Sequence, residues 1–131
     1  MTLKADEKGL VLSLEGRELK LNHDDDGFTP LELLVNSIAG CSGLVFKKIL
    51  GKKRIAYDEL IIEVDHQRSD VAPKPVTRID VHFTLKGENL DERKVRSAFE
   101  LVVPNCPVVQ SVNTAITINE TLDIAGIIEK N

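Results

Sequence analysis

Hydrophobic positions recur along this chain at two periods. Near the N-terminus leucines alternate, at Leu10, Leu12 and Leu14 and again at Leu19 and Leu21. A period of two describes strands with one buried face. Gly16-Arg17 between the two runs predicts a two-residue hairpin turn, and Lys8-Gly9 a turn from an earlier strand over Thr2–Ala5. The period then changes. From Leu33 to Phe46 no residue is charged and every side is apolar or small, which predicts a helix buried all round. Thr29 suits its N-cap, Pro30 its first position, and Glu32 completes a capping box. Lys47 and Lys48 suit the dipole of its last turn, and Gly51 a left-handed stop. Two glycines beside Cys41, Gly40 and Gly43, predict that something packs close to the helix backbone.

Alternation returns in the second half. Leu60, Ile62 and Val64 share one face of a strand over Asp58–His66, and Ile79, Val81, Phe83 and Leu85 point inward from Val76–Lys86. Arg78, Asp80, His82, Thr84 and Lys86 take the wet face, a pattern typical of antiparallel sheets. Asn89 and Glu92 repeat the capping-box spacing before Val95, Ala98, Phe99 and Val102, the buried stripe of a second helix that Pro104 ends. Pro107 opens a short helix over Val108–Ala115, placing Cys106 at its N-cap, and Ile116–Ile124 makes a last strand. The fold class is therefore α+β, a single domain over 1–131 with antiparallel sheets around a long central helix. So much apolar helix surface exceeds what one small sheet covers, which predicts an obligate homodimer.

Composition narrows the chemistry. A net charge of -4, with four Phe, one Tyr and no Trp, lacks the basic field and stacking platforms of a nucleic-acid binder. The uncharged run is shorter than the roughly 20 residues that span a bilayer, so it reads as a core helix, and the N-terminus does not resemble a signal peptide. A cytoplasmic protein is expected, without membrane contact. Two cysteines there are buried small hydrophobes or a redox pair. No Cys/His cluster suggests zinc, no cofactor is implied, and His23-Asp24-Asp25-Asp26 reads as a solvated turn rather than a cation site. His66 and His82 read as surface side chains. Thiolates form in positive local potential, which a helix N-terminus gives Cys106. Cys41, in mid-helix, needs a cation or donor from elsewhere in the fold or from another chain.

The two cysteine motifs carry a resemblance. Pro30-Leu31-Glu32-Leu33-Leu34, then Gly40-Cys41, and later Cys106-Pro107 opening a helix resemble the OsmC/Ohr family, and the order of elements from Gly9 to Ile124 is similar to it. That resemblance implies an intertwined homodimer and a thiol peroxidase. Cys41 would attack a hydroperoxide and become a sulfenic acid; Cys106 would condense with it to a disulfide, and an external dithiol would reduce that. The well-characterised branches add a glutamate ten residues before the first cysteine and an arginine from the N-terminal hairpin. Here Leu31 holds that position. Glu32, nine residues before Cys41, lies about 13.5 Å along the helix and roughly half a turn away, so it could serve a site only across a dimer. Arg17 is the candidate arginine. The sequence is more similar to the less characterised branch.

The leading expectation is reduction of organic hydroperoxides by two cysteines, in defence against oxidative stress. The alternative is a dimeric binding module that holds a small thiol or acyl ligand in the apolar site around Cys41.

Overall fold

The computed structural model describes residues Met1–Ile127. The described chain forms two compact units, the first ending at residue 36 and the second starting at residue 37, and one long helix begins in the first and runs on into the second.

In the first unit, β1 (Thr2–Ala5), β2 (Leu10–Leu14) and β3 (Arg17–Leu21) form an antiparallel sheet in that order. The β2–β3 turn falls one residue earlier than expected. Leu14 pairs with Arg17, and Glu15 and Gly16 take the turn at φ 48° and 77°. Two positive φ values in a row give the twist that a two-residue hairpin needs. In the following loop, Lys20 pairs with Asp26 at 3.1 Å, and Lys8 lies 3.7 Å from Asp24 and 3.5 Å from Asp26. The aspartates thus face lysines. The helix start has the expected form: Thr29 Oγ1 accepts from the Glu32 backbone N–H (3.2 Å), and Glu32 Oε1 accepts from the Thr29 N–H (3.1 Å).

Helix α1 spans Pro30–Lys52, so Gly51 does not stop it. The left-handed residue is Arg54, at φ 56°. Ile55 N–H reaches back to Leu50 O (2.9 Å) and Arg54 N–H to Gly51 O (3.1 Å). This is a Schellman ending with arginine where glycine is usual. Its 23 residues are long and apolar enough to cross a membrane, by length and composition only. The burial is that of a core helix: Ile38, Ser42, Phe46 and Leu50, spaced four apart, have no exposed surface. The opposite side corrects the expectation of a helix buried all round, since Leu44 is 70% exposed and Gly40 is open.

The second unit's sheet has the order β4 (Glu59–Arg68), β5 (Val76–Leu90), β6 (Thr117–Ile127). β4 and β5 are antiparallel, but β6 lies parallel to β5, so the sheet is mixed rather than antiparallel throughout. The helices between β5 and β6 form a crossover that returns the chain before it re-enters the sheet, which a hairpin cannot do. Those helices are α2 (Glu92–Glu100), α3 (Val102–Asn105) and α4 (Pro107–Val112). The α2 cap is Asp91, whose carboxylate accepts from Lys94 N–H, not Asn89. β5 stays in the sheet to Leu90, and Asn89 sits there at φ 58°. Pro104 lies inside α3 rather than at the end of α2. It has no N–H to give the Glu100 carbonyl, so one continuous helix cannot pass through it. Phe46 of α1, Phe83 of β5 and Phe99 of α2 meet edge to face, with centroids 5.2–5.7 Å apart. Three of the four phenylalanines thus lock helix to sheet.

Candidate functional site around Cys41 and Cys106

α1 presents Cys41 and Ser42 on adjacent sides. Ser42 is fully buried and Cys41 half-buried. Cys106 enters from the junction of α3 and α4. A residue before proline is driven out of helical geometry, and Cys106 is extended, at φ -94° and ψ 105°. Pro107 then starts α4, and the Cys106 carbonyl accepts its first helical bond, from Gln110 N–H at 3.0 Å. The backbone of Cys106 is thus an N-cap, but its thiol makes no capping hydrogen bond. It points inward, fully buried, and interacts with Cys41. Both cysteines are free thiols.

The free N–H groups of α4 serve the other cysteine. Val108 N–H donates to the Cys41 sulfur, so the donor missing from α1 comes from α4. It does not prevail. Burial, followed by the neighbouring Cys106, raises the Cys41 pKa above its ordinary value, and the charge of Glu120 adds to the rise. Among the described residues, no cation acts on it.

Glu120 and Ser42 are the site residues that sequence reasoning missed. On β6, Ile118, Glu120, Leu122 and Ile124 share the inward face, and Glu120 sits in register with buried Val81 of β5. A carboxylate on the apolar side of an alternating strand was the available signal. Glu120 Oε2 accepts from Ser42 Oγ at 2.6 Å, and that hydroxyl oxygen also lies 3.7 Å from Cys106 Sγ. Glu120 Oε1 is buried with no partner among the described residues. Burial raises this carboxyl's pKa, against the opposing bond from Ser42.

The other candidates have local partners. Glu32 is engaged in the capping box, and Arg17 is the exposed first residue of β3, 3.6 Å from Glu15. His82, on the outer sheet face, contacts Thr121 (2.7 Å) and Asp123 (3.1 Å) of β6. Gly43 is tight because a Cβ there would meet the Ile62 side chain, whereas Gly40 faces open space. A shallow apolar depression of about 540 Å³ opens over Cys41, lined by Gly40, Leu44, Val45, Lys48 and Pro107 among others. Chemically, the site is a dithiol beside a buried hydroxyl–carboxylate pair, reached through an apolar opening.

The sequence profile of the OsmC-like protein family matches residues 23–121. The chain belongs to the OsmC-like family. This OsmC-like chain is 26% identical to the Escherichia coli protein YhfA over 106 residues, covering 80% of this chain and 79% of that one. Among solved structures, an OsmC-like protein from Mycoplasma pneumoniae superposes with a TM-score of 0.81 at 19% identity, covering 95% of this chain and 94% of that chain. An organic hydroperoxide resistance protein OsmC from Legionella pneumophila gives a TM-score of 0.71 at 11% identity, covering 93% of each. The α+β fold is that of OsmC-like proteins.

Proposed function

We propose that this chain is a thiol-dependent reductase of organic hydroperoxides that works through Cys41 and Cys106. The observation that carries this reading is the contact between two free thiols from distant parts of the sequence, one fully buried and one open to an apolar depression. Membership of the OsmC-like family supports it, as does the shared fold of a protein named for organic hydroperoxide resistance. Cys41 attacks the peroxide O–O bond, releasing an alcohol and leaving a sulfenic acid. Cys106 displaces hydroxide from that sulfur to form the disulfide, and an external dithiol returns both thiols. The raised Cys41 pKa means the described chain alone does not activate it. The working unit is a homodimer, in which a second copy covers the exposed Gly40–Leu44 side of α1 and adds the missing positive potential. Its compartment is a reducing cytoplasm.

The test is oxidation of the reduced protein with an organic hydroperoxide. The expected products are a Cys41–Cys106 disulfide in wild type, a dimedone-trappable Cys41 sulfenic acid in Cys106→Ser, and no peroxide consumption by Cys41→Ser. Two free thiols after treatment of the wild type would sink the enzyme reading. A dimeric binding module for a small thiol or acyl ligand is the second reading, favoured by a Cys41 whose pKa burial raises, beneath an apolar opening.

A further inference from the structure

We infer that Glu120, acting through the Ser42 hydroxyl, takes the proton that Cys106 must lose when it attacks oxidised Cys41. The inference rests on the two-cysteine reading and adds a positioning residue to it. Ser42 Oγ lies 2.6 Å from Glu120 Oε2 and 3.7 Å from Cys106 Sγ. A serine has one proton to donate and lone pairs to accept with, while an ionised carboxylate only accepts. At that short distance the hydroxyl donates its proton in a hydrogen bond to Glu120. The lone pairs are left for the S–H of Cys106. The three groups thus form one directed line, thiol to hydroxyl to carboxylate.

Burial gives the line its purpose. Cys106 and Ser42 have no exposed surface, so the thiol proton cannot pass straight to water. Besides Cys41, the acceptor placed against Cys106 is Ser42. Glu120 suits the role of base. Its Oε1 is buried without a partner among the described residues, leaving the carboxylate short of donors and more basic than a surface glutamate. Of the described titratable groups, Cys41 feels its charge, and Arg96 of α2 reaches the same strand through the Leu122 carbonyl at 3.4 Å. Val81 beside it on β5 is apolar, and Asn119 and Thr121 point to the other sheet face. Among the described residues, no cation acts on the Glu120 carboxyl.

The step balances as follows. The Cys106 S–H bond breaks, its proton joins Ser42 Oγ, and the original Ser42 proton moves to Glu120 Oε2. The Cys106 thiolate attacks the sulfur of the Cys41 sulfenic acid; the S–S bond forms and the S–O bond breaks. Cys106 is oxidised as Cys41 is reduced to the disulfide level. The departing hydroxide takes a proton from solvent and Glu120 returns one, so the products are one disulfide and one water.

A single-turnover experiment tests this. Reduced protein receives one equivalent of organic hydroperoxide. Samples are quenched over time with dimedone and an alkylating agent, and the sulfenic acid and disulfide are quantified by mass spectrometry across pH. In wild type the rate of disulfide formation should level off once Glu120 is ionised and stay flat up to about pH 8, because the base is internal. Ser42→Ala and Glu120→Gln, checked for folding by circular dichroism, should form the disulfide about tenfold or more slowly at the low end of that range. Their rates should climb about tenfold per pH unit, and the Cys41 sulfenic acid should persist. A wild-type rate that climbs so steeply over the whole range, with no plateau, overturns the relay without any variant. So do folded variants with the wild-type rate and profile. Absence of any Cys41 oxidation in wild type would instead remove the two-cysteine reading, and the relay with it.

Discussion

Two hydroxyl–carboxylate pairs involve α1, one at its cap and one in its interior, and their carboxyl pKa values shift in opposite directions. At its start, Thr29 and Glu32 exchange hydrogen bonds with each other's backbone N–H in an exposed loop. Those donors, Thr29 N–H first, hold the Glu32 carboxyl below its ordinary value of 4.5. Thirteen residues further along the sequence from Thr29, at Ser42, the same two functional groups meet in the interior. There Glu120 has one donor, an orphaned second oxygen and little water, and its carboxyl rises above 4.5. The groups are alike. The number of donors and the access to solvent decide the sign. The first pair makes charge comfortable and stabilises a helix end; the second makes charge costly and leaves a base beside a thiol.

The harshest way to test that contrast is Ser42→Asp. It replaces the one donor to Glu120 with a second carboxylate at a fully buried position. Unfolding in urea should show a loss of several kcal/mol at neutral pH. Two carboxylates so placed share a proton, so both titrate high. Stability should therefore fall as pH rises and recover at acid pH, where one proton joins them. A loss below about 1 kcal/mol at neutral pH would mean that water reaches the Ser42–Glu120 contact freely.

The same contrast explains what was legible in the sequence. The capping box was readable because all of its partners lie within three residues, Thr29 to Glu32, and local backbone geometry fixes them. Cys106 as a backbone N-cap was readable for the same reason, through Pro107. The Ser42–Glu120 contact joins α1 to the last strand, and its register follows from a parallel pairing that antiparallel alternation did not suggest. The donor to Cys41 was similarly hidden: Val108 N–H belongs to α4, not to the helix that carries Cys41. The helix ending shifted because Arg54 accepts a left-handed conformation that glycine was expected to supply. Uniform apolarity in α1 gave no period, so the sequence could not say which side the phenylalanine cluster would bury.

A milder change sharpens the buried half of the comparison. Glu120→Gln keeps an oxygen for Ser42 and removes the charge. A raised carboxyl binds its proton more tightly in the folded than in the unfolded protein. Stability therefore falls as pH rises from the unfolded value, about 4.5, through the folded value. The glutamine variant has no such slope. It should exceed wild type by about 1 kcal/mol at neutral pH, kept modest by the side chain's partial contact with solvent, and the two should converge below about pH 4.5. A variant less stable than wild type at neutral pH would show that the charged form is welcome there, and would reverse the contrast.

The smallest effects lie at the helix start. Thr29→Ala removes the oxygen that accepts from Glu32 N–H and should cost about 1 kcal/mol, by thermal or urea unfolding. Glu32→Gln should cost less, because a glutamine oxygen still accepts from Thr29 N–H and completes the box. Its pH signature matters more than its size. A lowered carboxyl contributes stability that is present above the unfolded value and lost as pH falls through the folded value. Wild type should thus lose ground on acidification below about pH 4.5 where the glutamine variant does not, the mirror image of Glu120→Gln. Turnover of hydroperoxide should be unaffected by Glu32→Gln, since the carboxylate is engaged with backbone. Loss of turnover at unchanged stability would move Glu32 out of the capping role and into an active site shared between two chains.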